Sequence, residues 1–510
     1  MRRKAKATSA EELLPTMSGP EELYNYLYSA CNILRGPVGH ENFKAYLTPL
    51  LYFKRICDVW DEETEEALRV SDGDRDYANC PEQHAFVIPD GCHWQDIRER
   101  AENIGSAIVE ALRMIERNNP ETLYGVLSVF SSANFTDKTI LSDATMKNLV
   151  EHLSKRRLGN RDYSADLMGD AYEILLKKFA DESKAKAGEF YTPRPVVRLM
   201  IRILAPQPGE SVYDPACGSG GMLIEAVHYM KNSTLCCGRI FGQEKNVTNA
   251  AIAKMNLFLH GASDFRIMQG DTLRNPRILA NGELARFDCV VANPPFSLEA
   301  WGSTAFSTDI YGRNSWGTPP DSCGDFAWLQ HMVSSMRPGR GRMAVVLPQG
   351  VLFRGDEEGR IRQKMVESDM LEAVIALGEK LFYGTQLSPC ILVLRRVKPA
   401  DHVRKVLMVD ASTLLTPKRA QNVLEDADVD AIFDLYQAYE NHEGLSRVVT
   451  LDDIKAKNYE LSVNRYIQYK AAEVRPYSEV KAEFDAALAE LRHNTARFND
   501  LLVKGGYING

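Results

Sequence analysis

From Glu21 to about Ala165 apolar side chains return every three or four positions. In the stretch NFKAYLTPLLYFKRICDVW, residues Phe43, Tyr46, Leu50, Phe53, Ile56 and Trp60 fall on one helical stripe. This period predicts an all-helical N-terminal domain over residues 19–165, preceded by a flexible arm at 1–18. Residues 72–94, rich in Asp, Gly and Pro, read as a long excursion between helices. After Glu210 the rhythm changes to short apolar runs, SVYD, RIFGQE, FRIMQ, FDCVVAN, RMAVVLP, LEAVIAL and CILVLRR, separated by helical stretches. Alternation of this kind predicts βαβ units and a mostly parallel, doubly wound sheet of α/β, Rossmann-like class within residues 166–470.

Two segments depart from that alternation. Residues 298–325 are rich in Gly, Ser, Thr and Pro, and a loop of this length inside a compact domain is expected to be functional or mobile. The last helix, near residues 478–504, carries Val480, Phe484, Ala487, Leu491, Phe498 and Leu502 at near-heptad spacing. Residues 471–510 therefore read as a C-terminal helical tail that docks either on its own domain or on a partner.

Composition narrows the classes. With 510 residues and 45% hydrophobic content, a sizeable core and two or three domains are expected. The ten cysteines form no CxxC pair and no dense framework, which fits reduced cytosolic thiols rather than disulfides or a zinc site. No run approaches the roughly 18 apolar residues of a membrane span, so a cytoplasmic protein without membrane contact is expected. The net charge of −8 argues against gripping nucleic acid through bulk electrostatics, so a local patch or a partner would have to supply that grip.

Four features carry candidate chemistry. In VYDPACGSGGMLIEA a strand ends at Asp214, a turn containing Gly218, Ser219, Gly220 and Gly221 follows, and a helix begins at once. Such a turn lets a ligand approach backbone N–H groups at a helix N-terminus, or it merely packs a helix on a strand. Glu244 closes the next strand, where a carboxylate can accept both hydroxyls of a ribose or simply cap a helix. Asp271 ends the strand after that; it can take an adenine amine or serve as an N-cap. Without GxGxxG or a Walker lysine, a nucleoside lacking a phosphate chain fits this series best.

The fourth feature is FDCVVANPPF, a strand that runs into two prolines. Asn293 and the Pro294 carbonyl can offer two acceptors to one point, because neither Pro294 nor Pro295 has an N–H. Paired acceptors suit an amine, and Phe296 would stack on the ring that bears it. Taken alone, the same residues make an ordinary Pro-Pro turn with a packed Phe.

In these motifs the chain resembles S-adenosylmethionine-dependent amino-methyltransferases, and among them the adenine-N6 DNA methyltransferases, with their DPxxGxGG-like turn and (N/D)PP(Y/F). GEFYTPRPVVRLM resembles the segment that closes over the cofactor in that family. LTPLLYFKRICDVWDE, AYEILLKKFADESKAKAGEFYTP, GQEKNVTNAAIAKMNLFLHG, GVLFRGDEEGRIRQKMVE and NYELSVNRYIQY are similar to the modification subunit of type I restriction–modification systems, from about residue 20 to 470. The resemblance implies a cofactor site of S-adenosyl-L-methionine at Glu189, Phe190, Tyr191, Thr192, Pro193, Arg194, Ser219 to Gly221 and Glu244, with Asp214, Gly218 and Asp271 alongside from the reading above. It implies that Asn293 to Phe296 hold a target adenine extruded from double-stranded DNA.

The methyl group of that cofactor is already activated, so alignment is the task and no catalytic Cys or metal is needed; Cys217 reads as a small apolar packing residue. The chain leaves no block free to read bases beyond the sheet. A separate specificity subunit, holding two copies of this chain, and an endonuclease subunit for cleavage are the expected partners. Rival readings are a protein glutamine-N5 methyltransferase, a non-catalytic scaffold with the same fold, and a methylase with built-in specificity.

Overall fold

The computed structural model describes residues 19–39, 42–120, 123, 125–126, 134–164, 167–169, 171–172, 174–175, 178, 192–231, 239–262, 264–382, 387–418, 421–467, 469 and 476–508. The arm at 1–18, and Glu189, Phe190 and Tyr191 of the expected cofactor segment, lie outside them.

The N-terminal part is built from α1 (Pro20–Ser29), α2 (Phe43–Val70), α3 (Ile104–Asn118) and α4 (Asp143–Ser154). The stripe of α2 is buried at Phe43, Tyr46, Leu50, Phe53 and Ile56, as its spacing requires. Within residues 72–94 the first part is largely exposed, as an excursion would be, while the end joins the same core. Phe86, Ile88, Cys92 and Trp94 are buried, and the His84 ring stacks on Trp60 with centroids 4.5 Å apart.

Among the described residues the main sheet has nine strands. These are β1 (Ser211–Asp214), β2 (Arg239–Glu244), β3 (Phe265–Gln269), β4 (Cys289–Ala292), β5 (Arg342–Pro348), β6 (Leu371–Leu377), β7 (Pro389–Arg395), β8 (Lys405–Ala411) and β9 (Ser446–Thr450). Their spatial order is β9-β8-β6-β7-β5-β4-β1-β2-β3. Strands β3, β2, β1, β4 and β5 are mutually parallel, β6 pairs parallel with β8, and β7 and β9 run antiparallel to their neighbours. Strands β8 and β9 extend the sheet beyond the seven that the apolar runs predict. KVLMVDA carried a legible run, whereas SRVVT is a half-exposed edge strand with little apolar signal.

Side chains alternate between two cores. Val212, Cys289, Val291, Ala344 and Val346 face a layer containing α5 (Arg194–Leu204), α6 (Gly221–Lys231), α7 (Val247–Leu259) and, later in the chain, α10 (Asp426–Ala438). Tyr213, Val290, Ala292, Met343 and Val345 face α8 (Asp325–Ser334) and α9 (Asp356–Glu367). Helices on both faces make the sheet doubly wound, with its central strands buried on either side. The outer face of α7 also joins the helical part: Ala251, Ile252, Met255 and Leu259 belong to the core of α2, and Phe258 meets Tyr52 and Phe86 edge-on at 5.5 and 4.8 Å.

Residues 298–325, expected as a functional or mobile loop, are pinned in place. Trp301 and Phe306 are buried in a small cluster with Leu273, Ala327 and Trp328. Arg313 is buried against Asp309 and donates to the carbonyls of Thr272 and Leu273 at 2.9 Å. Satisfying backbone acceptors with a guanidinium is how a polar segment can pack without unpaired groups. By contrast α11 (Tyr477–Lys504) has no buried residue along its 28 positions. Docking on its own domain, one of the two expectations for it, is not seen among the described residues. Among them no helix is long and apolar enough to cross a membrane.

Candidate functional site

The sequence of strands turns back on itself between β1 and β4. The chain passes from β1 outward to β2 and β3, then returns to place β4 on the other side of β1 and continues to β5. A crevice outside the carboxyl ends of these two strands is where open α/β sheets bind ligands. Since β1, β2, β3 and β4 are parallel, Asp214, Glu244, Gln269 and Ala292 end at the same edge of the sheet.

On the β1 side, the turn after Asp214 needs glycine at two points, with φ of +53° at Gly218 and +88° at Gly220. At Gly220 a Cβ would also touch Ala253 at 3.4 Å, so α6 and α7 approach closely there. Asp214 is 2% exposed, and its Oδ1 accepts from Ala216 N at 2.9 Å, which closes the turn. Burial pushes its carboxyl up to about 8, and the Glu244 charge adds to the shift. Glu244 accepts from Gly218 N at 2.9 Å and from Asn246 N at 2.7 Å, so the end of β2 is tied to the turn after β1. Cys217 N donates to Gln243 O at 3.1 Å, and its buried thiol packs beside Gly242, where burial raises its pKa far above the usual thiol range. Ser219 O accepts from Asn256 Nδ2 at 3.1 Å. Gly221 opens α6, with open space where a Cβ would stand. Asp271 accepts from Arg274 N at 3.2 Å and pairs with Lys245 at 2.9 Å.

On the β4 side the acceptor balance is different. Asn293 donates from Nδ2 to Thr192 Oγ1 at 2.9 Å. Its Oδ1 is buried and accepts no hydrogen bond from the described residues. An orphaned buried acceptor costs on the order of 1–3 kcal/mol unless a ligand donates to it, and an amine can do so. Thr192 precedes Pro193, which caps α5, whose first residue is Arg194. The structure therefore brings Thr192 and Asn293 together, a contact across a hundred residues that spacing alone could not indicate.

Two further residues at the corner escaped the motif reading. Phe382 lies with its ring 5.9 Å from that of Phe296. Asp325, fully buried at the start of α8, accepts from Ser297 N at 2.8 Å and pairs with Arg354, which also pairs with Glu358 at 2.8 Å. Ser297 holds a φ of +49°, an uncommon conformation for a side-chain-bearing residue, and Asp325 secures it. The available signal for Asp325 was an acid opening an apolar helix after a Gly-rich stretch, which reads only as a first-turn acid. Cys323, Asp325 and Glu358 come close enough to share an ion, but the Arg354 guanidinium already pairs with both carboxylates.

A family model described as N-6 DNA Methylase matches residues 163–474, and one described as HsdM N-terminal domain matches residues 23–153. The chain is 30% identical to the type I restriction enzyme MjaVIII methylase subunit of Methanocaldococcus jannaschii, over 96% of this chain and 84% of that protein. It is 35% identical to the MjaVII methylase subunit of the same organism, over 73% of this chain and 65% of that protein's length. Among solved structures, a type I restriction-modification system methyltransferase subunit from Streptococcus thermophilus superposes with a TM-score of 0.76 at 26% identity, covering 88% of this chain and 100% of that one.

Proposed function

The chain belongs to the N-6 DNA methylase family and is a DNA methyltransferase of the modification-subunit type; from that premise we propose that it methylates N6 of adenine in double-stranded DNA, with Asn293 to Phe296 receiving the base. The observation that carries this reading is the buried Asn293 Oδ1 just past β4, which meets no donor among the described residues. Adenine N6 is a weak nucleophile because its lone pair is delocalised into the ring. Accepting its two protons at Asn293 Oδ1 and the Pro294 carbonyl localises that pair and aims it. Pro295 adds no competing donor, and Phe296 with Phe382 offers ring faces to the base. N6 is engaged in pairing within a duplex, so the base is extruded into the crevice.

S-adenosyl-L-methionine would supply an activated methyl group and lie on the β1 side. The positive-φ glycines Gly218 and Gly220 and the open space at Gly221 fit a backbone cradle for it. Glu244 would take the ribose hydroxyls, its two oxygens held in place by backbone N–H groups. Asp271, Asp214, Ser219 and the segment Glu189 to Arg194 complete the site. The task of these residues is alignment, and no side chain has to generate a nucleophile. Membership in a DNA methylase family favours this acceptor over a glutamine amide.

We further propose a working division into residues 19–165, 166–470 and 471–510. The assembly would contain a specificity subunit that reads the DNA, two copies of this chain on it, and an endonuclease subunit for cleavage. Support comes from α11, where Val480, Phe484, Leu491, Phe498 and Leu501 are all exposed on a 28-residue helix. The net charge of −8 also points to a partner for the grip on DNA.

The test pairs two variants. Asn293→Ala should lower tritiated-methyl transfer to duplex DNA by about two to three orders of magnitude with cofactor affinity in calorimetry nearly unchanged. Gly220→Val should weaken cofactor binding, since it strains the turn and meets Ala253. Undiminished transfer by the Asn293 variant would refute the assignment of the corner. Deleting residues 471–510 should abolish co-elution with the specificity subunit; an intact complex removes α11 as the docking helix.

A further inference from the structure

We propose that Thr192 is a positioning residue that fixes the Asn293 amide with its oxygen toward the target amine. The inference rests on the reading of NPPF as the adenine corner and assigns a task to a residue grouped so far only with the cofactor. A side-chain amide has an oxygen and a nitrogen of nearly equal size, and a half-turn about its last bond exchanges them. Only one of the two orientations serves an amine: with nitrogen inward, N–H groups would face N–H groups and the lone pair would be left unassisted.

In the structure the amide stands in the useful orientation. Thr192 Oγ1 accepts from Nδ2 at 2.9 Å, which leaves Oδ1 buried and without a donor among the described residues. Neither Pro294 nor Pro295 has a backbone N–H that could capture that oxygen. Thr192 itself is delivered by a rigid element. It stands just ahead of the N-cap of α5, whose Val196, Val197 and Met200 are buried in the core against the sheet. The acceptor that sets the amide thus comes from a helix outside the strand that carries Asn293, and a shift of α5 would alter catalysis without touching the base.

The experiment uses the chain assembled with its specificity subunit on duplex DNA, at saturating cofactor and DNA in single turnovers, with calorimetry for S-adenosylmethionine. Thr192→Val keeps the volume and removes the acceptor, so transfer should slow by about tenfold or more while cofactor affinity changes by less than about threefold. Thr192→Ser restores the hydroxyl and should recover at least about a third of the rate. A Val variant at the wild-type rate overturns the proposal, as does a Ser variant as slow as Val. A deficit that vanishes at saturating cofactor also overturns it, because it assigns the hydroxyl to cofactor binding alone. If the Val variant does not fold, Thr192→Ala carries the same expectations. Retained transfer by Asn293→Ala would instead refute the adenine corner itself, so the two failures are distinct.

Discussion

The two halves of the crevice handle polar groups in opposite ways. On the β1 side, Asp214, Glu244 and Asp271 each accept from nearby backbone N–H groups, and the glycine turn is braced by its own carboxylates. On the β4 side, the prolines remove donors, Thr192 occupies the amide nitrogen, and the buried Asn293 Oδ1 is left unmet among the described residues. The first half is tied together by its own hydrogen bonds, save for the buried Asn256 Oδ1 behind the glycine turn; the second leaves the Asn293 oxygen unmet at the corner itself, a deficit that a donor would fill. An unmet acceptor costs the folded chain on the order of 1–3 kcal/mol, which a bound donor such as an amine would recover.

This contrast can be broken from either side. The largest expected effect on stability is at the exit of the β4 corner. Asp325→Ala removes the acceptor of Ser297 N and leaves half-buried Arg354 with Glu358 alone, and should lower unfolding free energy by about 2–4 kcal/mol in urea titrations. An effect below about 1 kcal/mol would mean that the corner is held by its prolines without help.

A second prediction concerns pH on the β1 side. The folded-state pKa of Asp214 is raised to about 8, above the ordinary carboxylate value, so the folded chain binds this proton more tightly than the unfolded chain does. Stability from this group is therefore full at pH below about 4 and is lost as pH rises toward 8. The side-chain amide introduced by Asp214→Asn would keep the bond to Ala216 N and carry no titrating proton. The variant should gain on the wild type by about 1 kcal/mol per pH unit between pH 5 and 7. A pH-independent difference in denaturation midpoints would mean that Asp214 is not held protonated.

The smallest effect is expected at the rim. Lys245 is 73% exposed where it pairs with Asp271, and Lys245→Ala should change stability by less than about 0.5 kcal/mol. A larger loss would make Asp271 part of the braced scaffold rather than its edge.

How far the sequence could be read follows the same physics. Apolar runs such as RMAVVLP and LEAVIAL are visible because burial on both faces leaves few polar positions, and their strand bounds match the sheet. Gly218 and Gly220 were legible because a turn from strand to helix needs positive φ there, and Pro294 and Pro295 because sheet pairing cannot continue through them. Composition does not separate the functional from the mobile reading of a long polar loop. Residues 298–325 have the Gly, Ser and Pro content of a mobile loop, yet Trp301, Phe306 and Arg313 bind them down. The stripe on α11 indicated a helix but not its surroundings, since amphipathic spacing is the same whether the apolar face meets its own domain or another chain.

The sequence by itself determined the alternation of strands and helices, the glycine turn and the donor-free corner, because each depends on the period, φ or missing N–H of neighbouring residues. Tertiary structure alone decided that Thr192 reaches Asn293, that Phe382 joins Phe296 and that Asp325 holds Ser297. These contacts join residues far apart in the chain, and they are set by which strand lies beside which and by the helices packed on either face. No local pattern encodes that choice, because it follows from how two cores are filled together.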